Sequence, residues 1–134
     1  MKLFLQIELI PWKEAGYQKP LVTFASGLSD DVIGAELDNQ SDGAIADLVI
    51  RLCDQAESVF VLIQAQPEES LGVTLKLIHH LLRKEEKIYQ VILAGNHISL
   101  ERLLNPLAEK FVKETETEKL KTAIRLFAQL NPDR

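Results

Sequence analysis

Val59–Gln66 reads VFVLIQAQ, Ser70–Lys87 reads SLGVTLKLIHHLLRKEEK, and Ile88–Gly95 reads IYQVILAG. The two outer segments are apolar runs with little polar alternation, so as strands they need cover on both faces, and the middle one carries an apolar stripe at helical spacing. The three predict a βαβ unit at the centre of a sandwiched sheet. Pro67, Glu68 and Glu69 fall in the expected opening turn of the helix and Arg83, Lys84 and Lys87 toward its end, which matches the macrodipole at both termini.

On the amino-terminal side, Lys2–Ile10 sets Leu3, Leu5, Ile7 and Leu9 on one face and Gln6 and Glu8 on the other. This period-two pattern predicts a half-exposed strand at or near a sheet edge. The segment PWKEAGYQKP breaks it, Leu21–Ala25 resumes a strand alternation, and Ser26-Gly27 turns the chain. From Asp31 to Leu37 the alternation is weak and fits either a short strand or a helix. Ile45, Leu48, Val49, Leu52, Cys53 and Ala56 recur at helical steps, with Ser41 or Asp42 as cap and Asp47 paired with Arg51 one turn on.

On the carboxyl-terminal side, Leu100, Leu103, Leu104, Leu107, Ala108, Phe111 and Val112 form a further stripe, and Pro106 within it predicts a kink or break. After the polar run Lys113–Lys119, a last helix turns Leu120, Ala123, Ile124 and Phe127 inward, with Thr115 and Glu118 at capping-box spacing. The expected fold is a single α/β domain over residues 1–134. Its open sheet has four to five strands, mixed around the parallel βαβ centre and covered by helices, with flavodoxin-like layering as one expected arrangement.

Composition narrows the functional classes. A 134-residue chain with 46% hydrophobic and 26% charged residues buries roughly two-thirds of the surface its unfolded form exposes. The net charge of −5, with lysines and arginines scattered among carboxylates, argues against a nucleic-acid partner. A single cysteine, Cys53, excludes an intrachain disulfide and sits on an apolar helix face, where a small core residue is expected. The amino-terminal apolar run meets Gln6 and Glu8 early and no run has the length of a membrane span, so the expected location is cytoplasmic.

In open α/β sheets, ligands occupy the crevice beyond the carboxyl ends of the strands. That rule selects Ser26–Asp31, the segment with Gln64, Gln66, Glu68, Glu69 and Ser70, and the turn Gly95–Ser99. Glu69, Ser70, Asn96 and His97 are the candidate ligand-binding set. His97 has the chemistry of an acid or base near neutral pH, set against a plain reading as a solvated loop residue. Adjacent His79 and His80 point about 100° apart on a helix and have Arg83 and Lys84 four residues on, so no metal site is expected there. Asp30, Asp31, Asp38 and Asp42 match no calcium loop. No phosphate-binding loop, dinucleotide fingerprint or nucleophile elbow is present, and neither a catalytic residue nor a cofactor is assigned.

GAELDNQ at Gly34–Gln40 and Ser70-Leu71-Gly72-Val73, followed by helices and strands in the same order, make Asp31–Leu104 resemble a STAS domain, the module of anti-sigma-factor antagonists. The first motif resembles that family's G-x-L-D with one extra residue, and the second its serine-bearing turn and helix start. The family's Asp-Ser-Ser-Gly turn is replaced here by Pro67-Glu68-Glu69-Ser70. The resemblance implies a regulatory protein-binding module with Ser70 as phosphoacceptor, while the residues alone also allow Ser70 a place in a helix's first turn. Trp12 and Tyr17 are of the residue types that anchor interfaces. The expected function is a small non-catalytic regulatory or protein-interaction module, with a protein partner or a second copy as its target. The alternative is a small enzyme or ligand-binding domain that uses the carboxyl-end crevice.

Overall fold

The computed structural model describes residues 1–11 and 20–130, so the candidate interface residues Trp12 and Tyr17 lie outside the described residues. The strands are β1 (Lys2–Leu9), β2 (Val32–Asp38), β3 (Ser58–Ala65), β4 (Ile88–Gly95) and β5 (Phe111–Lys113). The α-helices are α1 (Pro20–Ser26), α2 (Gly43–Gln55), α3 (Thr74–Leu82), α4 (Ile98–Leu103) and α5 (Thr117–Ala128). The strand order is β2-β1-β3-β4-β5, and every neighbouring pair is parallel. This is the doubly wound, flavodoxin-like order, with its direction of winding reversed between β1 and β3.

An open α/β sheet covered by helices was expected, and the sheet differs in being parallel throughout rather than mixed. The reason lies in two segments. Leu21–Ala25 belongs to α1, where Leu21 and Ala25 are buried one turn apart, and this crossover allows β2 to lie parallel to β1. Phe111 and Val112, expected to continue a helical stripe, form the short edge strand β5. The expected break near Pro106 is present as a 3-10 turn over Asn105–Leu107, which ends the preceding helix.

Two apolar layers hold the sheet. Leu3, Leu5, Ile7 and Leu9 of β1 and Val59, Val61 and Ile63 of β3 pack with Val49 and Cys53 of α2, Leu77 and Ile78 of α3, and Leu100 of α4. On the other face Phe4, Phe60, Leu62 and Ile92 meet Leu21 and Ala25 of α1 and Leu120, Ile124 and Phe127 of α5. Phe60 stacks in tilted geometry on Phe4, Tyr89 and Phe127, with ring centroids 5.5 to 6.4 Å apart. Each such pair adds about 1 kcal/mol to simple area burial. Gly34 lets α1 lie close on β2, since a Cβ there would stand 2.6 Å from Val22 Cγ1.

Four local expectations are corrected. First, β1 lies near an edge as expected but is not half-exposed: it sits between the edge strand β2 and β3 and is buried along its whole length, so Gln6 and Glu8 are interior residues. Second, α2 turns Ala46, Val49 and Cys53 inward while Ile45 and Leu48 of the predicted stripe are exposed. Asp42 supplies its cap through Ile45 N, and Asp47 pairs with Lys76 of α3 rather than with Arg51. Third, Pro67–Val73 is loop, and α3 begins at Thr74. At the last helix the expected capping box is replaced by Glu114 Oε2, which accepts from the N–H groups of Thr115 and Glu116. Among the described residues no helix is long and apolar enough to cross a membrane.

Candidate functional site

At the carboxyl end of the sheet, β1 leads toward α1 on one face and β3 leads to α3 on the other, which opens a crevice between them. The loops around it are held by close backbone approaches. Gly95 at the end of β4 has φ +119, and a Cβ there would stand 2.2 Å from the Ala65 carbonyl oxygen of β3. Gly72 has φ +54 and a virtual Cβ 2.3 Å from the Asn39 carbonyl oxygen. Among the described residues Glu68 is the non-glycine residue at positive φ, +67, a conformation that costs of order 1 kcal/mol.

His97 sits in this frame as a structural tie. It is 4% exposed and occupies the N-cap of α4 with extended backbone. Its Nδ1 accepts the Leu100 N–H at 3.1 Å, and its Nε2 faces the Glu69 carbonyl oxygen at 2.6 Å. An imidazole that accepts at Nδ1 and meets a carbonyl at Nε2 carries its proton on Nε2. Both ring nitrogens are spent, so the expected choice between acid–base catalyst and solvated loop residue is replaced by a third role. Glu101 Oε2 completes the cap by accepting the His97 N–H at 3.1 Å. That bond, reinforced by Lys113 at 3.1 Å, holds the Glu101 carboxyl below the usual carboxylate range.

The other candidate residues are near His97 and similarly engaged. Glu69 contributes its backbone oxygen to the imidazole. Asn96 is exposed, with Oδ1 accepting from Lys113 Nζ at 2.6 Å. Ser70 is exposed, its Oγ accepting the Gly72 N–H at 3.2 Å, and its carbonyl accepts from Asn39 Nδ2 at 2.8 Å. Asn39 Oδ1 in turn accepts the Ile10 N–H at 3.3 Å, so this buried amide ties the ends of β1 and β2 to the loop after β3. A shallow cleft of about 180 Å³ runs beside them, lined by Pro67, Glu68, Asn96, His97, Ile98 and Ser99. Ile98 stands 70% exposed at its rim.

A second polar group lies deeper, on the α1/α5 face. Gln6 is 3% and Glu8 8% exposed, and parallel register sets Glu8 directly opposite Gln64. Gln6 Nε2 donates to Glu8 Oε1 at 3.2 Å and to Gln64 Oε1 at 3.0 Å. Gln6 Oε1 is fully buried and has no hydrogen-bond partner among the described residues, a deficit worth about 1–3 kcal/mol. Gln64 was among the residues that the crevice rule selected; Gln6 and Glu8 were not. Their signal was present as the polar half of the β1 alternation, but it reads as a solvent face unless β1 is known to lie inside the sheet.

The histidine pair and the aspartates are dispersed over local partners. His80 Nε2 lies 2.7 Å from Asp54 Oδ1. Asp31 accepts from Ser29 Oγ at 2.6 Å and Asp38 from the Gln40 N–H at 2.7 Å. Among the described residues no three histidine, cysteine, aspartate or glutamate side chains converge as metal ligands. Cys53 is buried under α2, and desolvation, with Asp54 adding to it, pushes its thiol up to about 12. No family model, curated protein or solved structure matches this chain.

Proposed function

We propose that this chain is a non-catalytic regulatory module that binds a protein partner with the rim formed by the β3–α3 loop and the start of α4. The observation that carries the reading is the state of His97, whose two ring nitrogens are committed to Leu100 and Glu69. The side chain best suited to proton transfer is thereby used to fix loops, and a fixed rim loses little entropy on binding. The rim presents one protruding apolar residue, Ile98, beside the exposed Glu68, on a chain of net charge −5. Charge and shape together suit a partner segment that brings an apolar side chain next to a basic one. The exposed Ser70 lies in the same loop, where a phosphoryl group would add negative charge and strengthen that preference.

The test is native mass spectrometry of protein purified gently from its own host, as wild type and as Ile98→Asp, Glu68→Lys and Leu48→Glu. The expected result is a stoichiometric protein complex that Ile98→Asp and Glu68→Lys disrupt and Leu48→Glu preserves, with melting temperatures unchanged. A complex lost only with Leu48→Glu would move the interface to α2 and overturn the rim. A protein that carries a retained metabolite and no partner would overturn the module itself.

A further inference from the structure

The edge strand β2 has backbone hydrogen-bonding groups left over, and they are distributed in a specific way. Lys2 N donates to the Asp31 oxygen and Asn39 N to the Glu8 oxygen. In the parallel β1/β2 ladder the odd-numbered residues of β2 therefore turn their backbone groups toward β1, and the even-numbered ones turn theirs outward. Of the outward groups, the Val32 N–H is taken by the Ser29 oxygen, the Asp38 N–H by Ser41 Oγ, and the Asp38 oxygen by the Ser41 N–H. Both ends are thus tied off by the chain's own turns. Between them the N–H and C=O of Gly34 and of Glu36 meet no partner among the described residues. An unpaired strand edge is a template for another strand, and natural proteins blunt it with proline, lysine or a bulge. Val32–Asp38 has none of these, and its register on β1 is unbroken.

The side chains beside this edge are apolar on the α2 face. Register sets Ile33 opposite Leu3 on that face, where it stands 40% exposed. Asp47 and Asp54 of α2 pair with Lys76 and His80 of α3. At about 100° per residue, Ile45 and Leu48 then lie on the other flank of α2, the one that borders β2. They are 43% and 52% exposed. The strand is also complementary to itself. Set antiparallel to its own copy about a two-fold axis at Ala35, β2 places Gly34 opposite Glu36 on both sides of the axis, as pairs that exchange both backbone bonds. Every free N–H and C=O of Gly34 and Glu36 is then used. Glu36 meets a glycine, Asp38 meets Val32 and Ile33 meets Leu37, so no carboxylate of the strand faces another. A contact of this kind uses the same surface on both copies and closes at two. The opposite edge, β5, is three residues long and offers no comparable template.

We propose that β2 pairs with the β2 of a second copy, joining the two five-stranded sheets into one continuous sheet with the α2 flanks packed over the junction. The contact is independent of the protein-binding rim. Ile98→Asp should therefore leave it intact, and Leu48→Glu should separate the copies while each keeps its partner. The test is sedimentation equilibrium of the full-length protein across the micromolar range, with disulfide trapping as the readout of register. The expected mass is twice 15.1 kDa. Ile33→Lys, with its circular dichroism checked, should weaken association by at least about tenfold, the equivalent of one apolar contact. The two-fold axis sets Ala35 against its own copy in a non-hydrogen-bonded pair, with Cα atoms about 4.5 Å apart, within the span of a disulfide. Oxidation with diamide should cross-link Ala35→Cys and leave Glu36→Cys, which faces Gly34, free. A monomer throughout the micromolar range, a dimer that Ile33→Lys leaves unchanged, or a Glu36→Cys that cross-links as readily as Ala35→Cys would overturn the proposal. Should Ala35→Cys fail to fold, the masses of the wild type and Ile33→Lys decide alone.

Discussion

Replacing His97 by alanine separates a structural tie from a reactive group. The substitution removes the cap bond to Leu100 N and the bond to the Glu69 oxygen. Loss of a side-chain cap costs about 1 kcal/mol, and loss of a net hydrogen bond about 1 kcal/mol more. The space left by a 4% exposed imidazole adds a further ~1 kcal/mol. The sum, about 3 kcal/mol, corresponds to roughly 10 °C in melting temperature for a chain of this size. Calorimetry measures the shift, and amide hydrogen exchange locates it: protection should fall in the β3–α3 loop and α4 first, with β1 and β3 spared. His97→Asn offers Leu100 a cap acceptor but falls short of Glu69, so it should recover about 1 kcal/mol. A loss under about 1 kcal/mol for His97→Ala, or His97→Asn no better than alanine, would refute the tie, because each follows directly from the two bonds.

Gly95→Ala and Gly72→Ala should each cost several kcal/mol or prevent folding, as measured by urea denaturation, since a Cβ would meet backbone at 2.2 and 2.3 Å. Gly43→Ala, with nothing within 4 Å of its virtual Cβ at the start of α2, should instead stabilise by about 0.5 kcal/mol. Cys53 should resist a thiol reagent in the native state and react at the rate of unfolding, because burial raises its thiol to about 12; rapid native labelling would contradict the packing of α2. Asp31 is held below its ordinary value by Ser29 and then Lys2, Asp54 by His80, Glu101 by the His97 N–H and Glu114 by the Glu116 N–H. Groups with depressed folded values contribute stability that is present above the unfolded value and lost as pH falls through the folded one. The melting temperature should therefore fall below about pH 4, and Asp31→Asn should flatten that limb.

The sequence made the sheet's centre legible because β3 and β4 must be apolar on both faces, and that requirement leaves little room for another reading. It misplaced Leu21–Ala25 because five residues satisfy a strand period and an i, i+4 helix contact equally well; only the parallel connection from β1 to β2 decides between them. It misread the Pro67–Glu69 turn because a proline followed by two acids looks like a helix start, whereas Glu68 takes a positive φ and Gly72 lies against the Asn39 backbone, so the chain stays a loop as far as Val73. Asn96, His97, Glu69 and Ser70 were singled out by the rule about strand carboxyl ends, which gives location but not what each side chain does. Burial turned His97 from a candidate reagent into a cap.

The most consequential misreading concerns β1, because the same two residues change meaning with strand order. At an edge, Gln6 and Glu8 are a wet face and carry no information. Between β2 and β3 they are buried polar groups next to the apolar layer of Phe4, Phe60 and Leu62, and each has to be satisfied or explained. The apolar half of the face ends at Phe4 and Leu62, and the polar half begins one step higher with Gln6 and then Glu8 and Gln64. A strand that must be interior and yet turns polar only toward its carboxyl end marks the crevice by the same physics that makes the lower half core. Polarity there costs stability, and the position of the unpartnered Gln6 oxygen beside the β1/β3 reversal shows where that cost is concentrated.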